Sequence, residues 1–110
     1  MVSPRTLAAI KRAREKRECE DEDKFVRWAR REGCICLKLN LSGRRDWPDQ
    51  WVIGDRTDML IEFKRKGKKP TEKQAILHAA LCARKPVVYV DTFEQAKEYA
   101  EQFELMYGWM

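Results

Sequence analysis

Asp49, Glu62 and Lys64 are the side chains of this 110-residue sequence whose types and spacing could carry a reaction. Glu62 and Lys64 stand two apart in Met59-Leu60-Ile61-Glu62-Phe63-Lys64, so on a strand they project to one face while Ile61 and Phe63 project to the other. Trp51-Val52-Ile53 precedes this run across Gly54-Asp55-Arg56-Thr57-Asp58, a stretch of turn formers, and the pair of runs predicts a hairpin. If Ile53 opposes Asp58 across the turn, the same register carried outward sets Asp49 directly opposite Glu62. Like charges facing each other across strands repel, so such a pair holds a cation between them or shares a proton. An all-oxygen ligand set suits Mg²⁺ or Mn²⁺. A lysine two residues from a metal-binding glutamate can hold an attacking water or offset charge on a phosphate. Together these groups point to phosphodiester hydrolysis. Taken alone, they also read as a Pro-Asp turn and a solvated Glu-x-Lys strand face.

The elements that must position these groups follow from apolar spacing. Ser3-Pro4 reads as a helix cap and first helical position, and Leu7, Ala8, Ile10 and Ala13 give a weak stripe within a basic, expectedly mobile segment, residues 1–17. Phe25, Val26, Trp28 and Ala29 have helical spacing ahead of Gly33, which predicts a firm helix over 18–32. From Cys34 to Asn40, Ile and Leu alternate with Cys, Lys and Asn, the period of a half-buried strand. A loop follows, ending in Trp47-Pro48. Beyond the hairpin, Thr71-Glu72-Lys73-Gln74 fits a capping box opening a helix that ends before Pro86. Val87-Val88-Tyr89-Val90 reads as a buried strand, and Thr92-Phe93-Glu94-Gln95 repeats the capping pattern before a last helix. The expected order is α-β-β-β-α-β-α, an α/β domain over residues 18–110 with a central mixed sheet flanked by helices. The apolar stretch from Phe103 to Met110 must pack on something, either the chain's own core or a second copy.

One core is all that this length supports, and 44% hydrophobic residues suffice to build it. No apolar run is long enough for a spanning helix, and the basic N-terminus lacks a signal-peptide core, so secretion and membrane insertion are not expected. The net charge of +5 points to a polyanion, and it is localised: residues 1–17 carry six basic and one acidic side chain, residues 62–73 six and two. Cys19, Cys34, Cys36 and Cys82 have neither a second Cys pair nor more than one His beside them, so they read as free thiols of a reducing cytoplasm.

The run Gly43-Arg44-Arg45-Asp46-Trp47-Pro48-Asp49, the strand Ile61-Glu62-Phe63-Lys64, and Gln74 ten residues beyond Lys64 resemble the VRR-NUC domain of the PD-(D/E)xK nuclease superfamily. The resemblance extends from about Glu22 to Tyr99. It implies a restriction-endonuclease-like core and a Mg²⁺- or Mn²⁺-dependent nuclease. Asp49 and Glu62 would be metal ligands, the Phe63 carbonyl a third, Lys64 the group positioning the attacking water, and Gln74 a further site residue. It also implies an acid on the first helix. Glu18, Glu20 and Glu22 are all candidates, and the spacing to Gly33 and Phe25 that the resemblance suggests favours Glu22, as a ligand directly or through water. Standalone members of this family resemble enzymes that resolve branched DNA, including four-way junctions, a task that implies a two-fold homodimer. Asp46 departs from the family, which usually has Gly there. It reads as a loop residue paired with Arg44 or Arg45, with metal ligation as the other reading.

Lys38, Arg44, Arg45, Arg65, Lys66, Lys68 and Lys69 surround this centre and are candidates for backbone-phosphate contacts. Trp47 either braces its loop or stacks on a base. His78 shares a helix face with Gln74 and reads as an ordinary core or surface residue. The rival readings are a non-catalytic basic DNA-binding module and a nuclease subunit active only within a larger complex.

Overall fold

A computed structural model describes residues 3–41, 43–64 and 69–105, apart from the side chains at positions 14, 15, 17 and 18. Its first element is a single long helix, α1 (Pro4–Arg31). Ser3 caps it, its hydroxyl accepting from the Thr6 amide at 3.2 Å, with Pro4 at the first position as the sequence predicts. Apolar spacing predicts a firm helix only from residue 18, yet the helix runs unbroken through that point. Ala, Leu, Lys, Arg and Glu dominate the segment, and no Gly or Pro interrupts it after Pro4. Gly33, at φ +96°, lies just beyond its end.

Four strands follow, with two further helices: β1 (Ile35–Lys38), β2 (Gln50–Ile53), β3 (Asp58–Phe63), α2 (Glu72–Cys82), β4 (Val87–Val90) and α3 (Phe93–Gln102). The sheet order is β1-β2-β3-β4. The first three strands are antiparallel neighbours and β4 runs parallel to β3, so the sheet is mixed and the domain α/β, as expected. Ile53 pairs with Asp58, the register on which the convergence of Asp49 and Glu62 depends.

Side-chain alternation divides the sheet faces. Met59, Ile61 and Phe63 of β3 share a face with Val52, Val88 and Val90, and this face is covered by Phe25 and Ala29 of α1 and Ala96 and Ala100 of α3. Phe25 meets Phe63 at a ring separation of 6.0 Å. Glu62 and Tyr89 point to the other face, under α2, whose buried residues are Gln74 and His78. β1 and the residue before it alternate as predicted, with the cysteines turned inward: Cys34 and Cys36 are buried, while Ile35 and Leu37 are 58% and 44% exposed. All four cysteines are free thiols, and burial pushes the Cys34 thiol up to about 11.

The capping box of α2 is complete: the Gln74 amide donates to Thr71 Oγ1 at 3.1 Å and Gln74 Oε1 accepts from the Thr71 amide at 3.0 Å. At α3 the Gln95 amide donates to Thr92 Oγ1, but the Gln95 side chain accepts from the Asp91 amide, one residue before the cap. Asp21 of α1 accepts from the Phe93 amide, joining two helices on the same sheet face. After α3 the chain folds back, Leu105 is fully buried, and its carbonyl accepts from the Arg56 amide at 3.0 Å. The part of the apolar tail up to Leu105 therefore closes the chain's own core, and Met106 to Met110 lie outside the described residues. No helix among the described residues is long and apolar enough to cross a membrane.

Candidate active site

Asp49 sits one residue before β2, behind the fully buried Pro48, and three hydrogen bonds fix it. Its carbonyl accepts from the Leu39 amide at 3.0 Å, Oδ2 accepts from the Phe63 amide at 2.8 Å, and Oδ1 accepts from Asn40 Nδ2. The bond to Phe63 ties the aspartate to the strand that carries Glu62. Outward extension of the Gln50–Ile61 pairing brings the two carboxyls together, close enough to share a proton.

Both carboxyls are shifted toward the protonated form. Burial is the main cause for Asp49, with the charge of Glu22 adding to it and the Phe63 amide and Lys38 opposing. Burial and then the charge of Asp49 push Glu62 up to about 8, against Lys64. Lys64 Nζ lies 3.5 Å from Glu62 Oε2, and Gln74 Nε2 donates to the same oxygen at 3.4 Å. Glu62 is only 4% exposed, and its Oε1 is buried without a hydrogen-bond partner among the described residues. A buried oxygen in that state is costly unless the proton shared with Asp49, or a cation in its place, engages it.

Glu22 approaches from α1. Its Oε2 accepts from Lys38 Nζ and from Gln50 Nε2, each at 2.7 Å. Lys38 and Gln50 are direct partners across β1 and β2, so their side chains share a face and converge on the helix carboxylate. Burial alone would make Lys38 easier to deprotonate, and the hydrogen bond and charge of Glu22, together with the charges of Asp49 and Cys19, more than reverse it. Gln50 and Asp49 are sequence neighbours that alternation sends to opposite sides, so Glu22 borders a cleft with Arg27 and Arg30 yet stays near enough for its charge to raise Asp49. Among the described residues no three of His, Cys, Asp or Glu converge as a metal-binding group, and the centre rests on the Asp49–Glu62 pair. Of the other first-helix candidates, Glu20 is exposed on α1, and the Glu18 side chain lies outside the described set.

Arg44, Arg45 and Lys69 are exposed, as a phosphate-contacting role requires, and Lys38 is engaged by Glu22. Arg65, Lys66 and Lys68 lie outside the described residues. Asp46 contributes its carbonyl, which accepts from His78 Nε2 at 3.0 Å, and His78 Nδ1 meets the Tyr89 hydroxyl. His78 thus bolts the loop leading to Asp49 onto α2 and onto Tyr89, the strand partner of Glu62. Burial holds its pKa below the ordinary histidine value, so the ring is neutral, with its proton on Nε2.

Asn40, Gln50 and Tyr89 are site neighbours that the sequence does not reveal. No local pattern marks them, because each acts through a partner 9 to 28 residues away or through His78. Compared with models of known protein families the chain matches none, and comparison with curated proteins finds no relative.

Proposed function

We propose that this chain is a divalent-metal-dependent DNA endonuclease with a restriction-endonuclease-like core, the activity that its resemblance to VRR-NUC domains implies. The carrying observation is the meeting of Asp49 and Glu62, the buried unpartnered Oε1 of Glu62, and the Lys64 ammonium beside them. Two forced-together carboxyls with a free oxygen fit a hard cation. Asp49, Glu62 and the Phe63 carbonyl would hold Mg²⁺ or Mn²⁺, with Glu22 reached through water. When bound, such an ion supplies Lewis acidity that makes water easier to deprotonate and offsets the charge of the phosphodiester.

The protein's own groups do the rest. Lys64, held 3.5 Å from Glu62, orients an attacking water and offers positive charge to the phosphate as negative charge builds on it. Gln74 donates to Glu62 and fixes which of its oxygens stays free. Arg44, Arg45 and Lys69 hold the strand being cut, with Arg65, Lys66 and Lys68 continuing that basic run. Branched DNA, including four-way junctions, is the substrate class, and two copies related by a two-fold axis cut its two equivalent strands.

Incubation of the protein with a junction, a flap and a plain duplex, in Mg²⁺, Mn²⁺ or EDTA, tests this. Metal-dependent cleavage that disappears in Asp49→Ala and in Lys64→Ala is the expected result. Cleavage that survives either substitution rejects the residue assignment. Binding without cleavage under every condition indicates the DNA-binding module instead, and cleavage gained only with a partner indicates a subunit of a larger complex.

A further inference from the structure

A second cleft, of about 420 Å³, lies between the loop 43–47 and α2, within the roughly 300 to 1,000 Å³ of small-ligand pockets. Its lining combines the cations Arg44, Arg45 and Lys73 with the apolar side chains of Trp47, Ile76 and Leu77. Ile76 is 67% exposed, so its side chain is open to a ligand in the cleft. Asp46 is the acid in the lining, leaving an excess of two positive charges, three cations against one carboxylate. The hydrogen bond from His78 to the Asp46 carbonyl fixes the loop wall against the helix wall, so the cleft does not depend on a ligand to form.

We infer that this cleft receives an unpaired nucleotide of the DNA substrate, its base laid on Trp47, Ile76 and Leu77 and its phosphate among Arg44, Arg45 and Lys73. The inference rests on the nuclease reading and deepens it by naming what the enzyme grips. A base inside a duplex has both faces stacked and cannot reach an apolar lining, whereas an unpaired base exposes one. The loop that carries Trp47 leads into Asp49, and Leu77 lies one turn on from Gln74 on α2, so the two elements that wall the cleft are also those that carry Asp49 and Gln74.

The test is fluorescence anisotropy in EDTA, where no cleavage occurs, comparing a blunt duplex with the same duplex carrying a single-stranded arm. Wild type is expected to bind the armed DNA about tenfold more tightly, the scale of one base stacked on an aromatic ring. 2-Aminopurine in the arm is expected to be quenched on binding. Trp47→Ala should remove most of the preference. Because Trp47 is half-buried and that variant can disturb the loop, Ile76→Glu serves as the second. Its site is exposed, so folding is retained while the charge bars a base, and the armed-to-blunt ratio falls to about one. Equal wild-type affinity for the two DNAs, or a ratio unchanged in Ile76→Glu, overturns the inference. The two readings separate cleanly. Mg²⁺-dependent cutting with no arm preference removes the cleft assignment alone, and arm preference without cutting in any metal removes the nuclease alone.

Discussion

Gln74 and Glu62 are joined through a side chain that does two things at once: Gln74 Oε1 closes the capping box with Thr71 at 3.0 Å while its Nε2 donates to Glu62 at 3.4 Å. The cap therefore aims the donor. Helix stability and the orientation of a candidate metal ligand share one amide group.

Separating the two halves of that amide gives the first prediction. Gln74→Ala removes both and is expected to cost about 1 kcal/mol of stability along with roughly tenfold or more of the cleavage rate. Gln74→Glu keeps an acceptor for the Thr71 amide but replaces the donor with a carboxyl. Urea unfolding at about pH 5, where the added carboxyl can stay protonated, should then recover toward wild type while initial rates stay low. Recovery of both together would show that Gln74 acts only as a cap.

The raised carboxyl pKa values set a pH dependence whose sign is opposite to that of an ordinary salt-bridged acid. Glu62 titrates near 4.5 when unfolded and near 8 when folded, so between those values the metal-free native state holds the extra proton. Stability is therefore expected to fall as pH rises through this window, by at most about 1.4 kcal/mol per pH unit. Glu62→Gln should flatten that slope in thermal melts from about pH 5 to 8. Added Mg²⁺ should raise the wild-type melting temperature more at about pH 8 than at about pH 6, because cation binding must displace the shared proton. A wild-type slope identical to that of the variant would contradict the assignment.

Asp49→Asn is the substitution that best separates chemistry from structure. Asn40 Oδ1 is buried and unpartnered among the described residues, so rotation of the Asn40 amide lets it accept from the amide introduced at position 49. The Phe63 amide keeps its acceptor. The variant should fold with stability at about pH 8 equal to or above that of wild type, while cleavage falls on the order of 10²-fold or more. Circular dichroism melts alongside rate measurements check this, and a badly destabilised protein would count against the amide exchange.

Gly54 tests the closure of the fold at a distance from the chemistry. A Cβ built there would lie 2.6 Å from the Leu105 carbonyl carbon and closer still to its oxygen, which is main chain and already holds the Arg56 amide. Gly54→Ala is expected to cost roughly 1 to 3 kcal/mol by forcing the returning segment outward. Well below its melting temperature, the variant should retain its cleavage rate, since Asp49 and Glu62 lie at the opposite end of the hairpin.

Much of this site is legible in local sequence. The hairpin register follows from the turn formers between Ile53 and Asp58 and from two-residue alternation, and that register alone sets Asp49 against Glu62. The caps at Ser3, Thr71 and Thr92 are equally readable, because a cap involves residues three apart. Helix α1 is longer than apolar spacing predicts, its exposed basic first half having no packing signal although its propensity is continuous. In β1 the alternation is visible, but not which side faces in. The covered face is set by where α1 and α3 lie, and there the smaller cysteines fit while Ile35 and Leu37 remain outside.

By itself the sequence determined the element order, the pairing of the central hairpin and the identity of the two facing carboxylates, since each depends on residues joined by short, stereochemically restricted chain. Only the folded sheet decided that Glu22 meets Lys38 and Gln50, that Asn40 holds Asp49, and that His78 fastens a loop to Tyr89. Those contacts join segments whose separation along the chain carries no information about their distance in space. They arise when strand order and helix placement have been fixed by burial of the common core, a cooperative property that no single stretch of residues possesses.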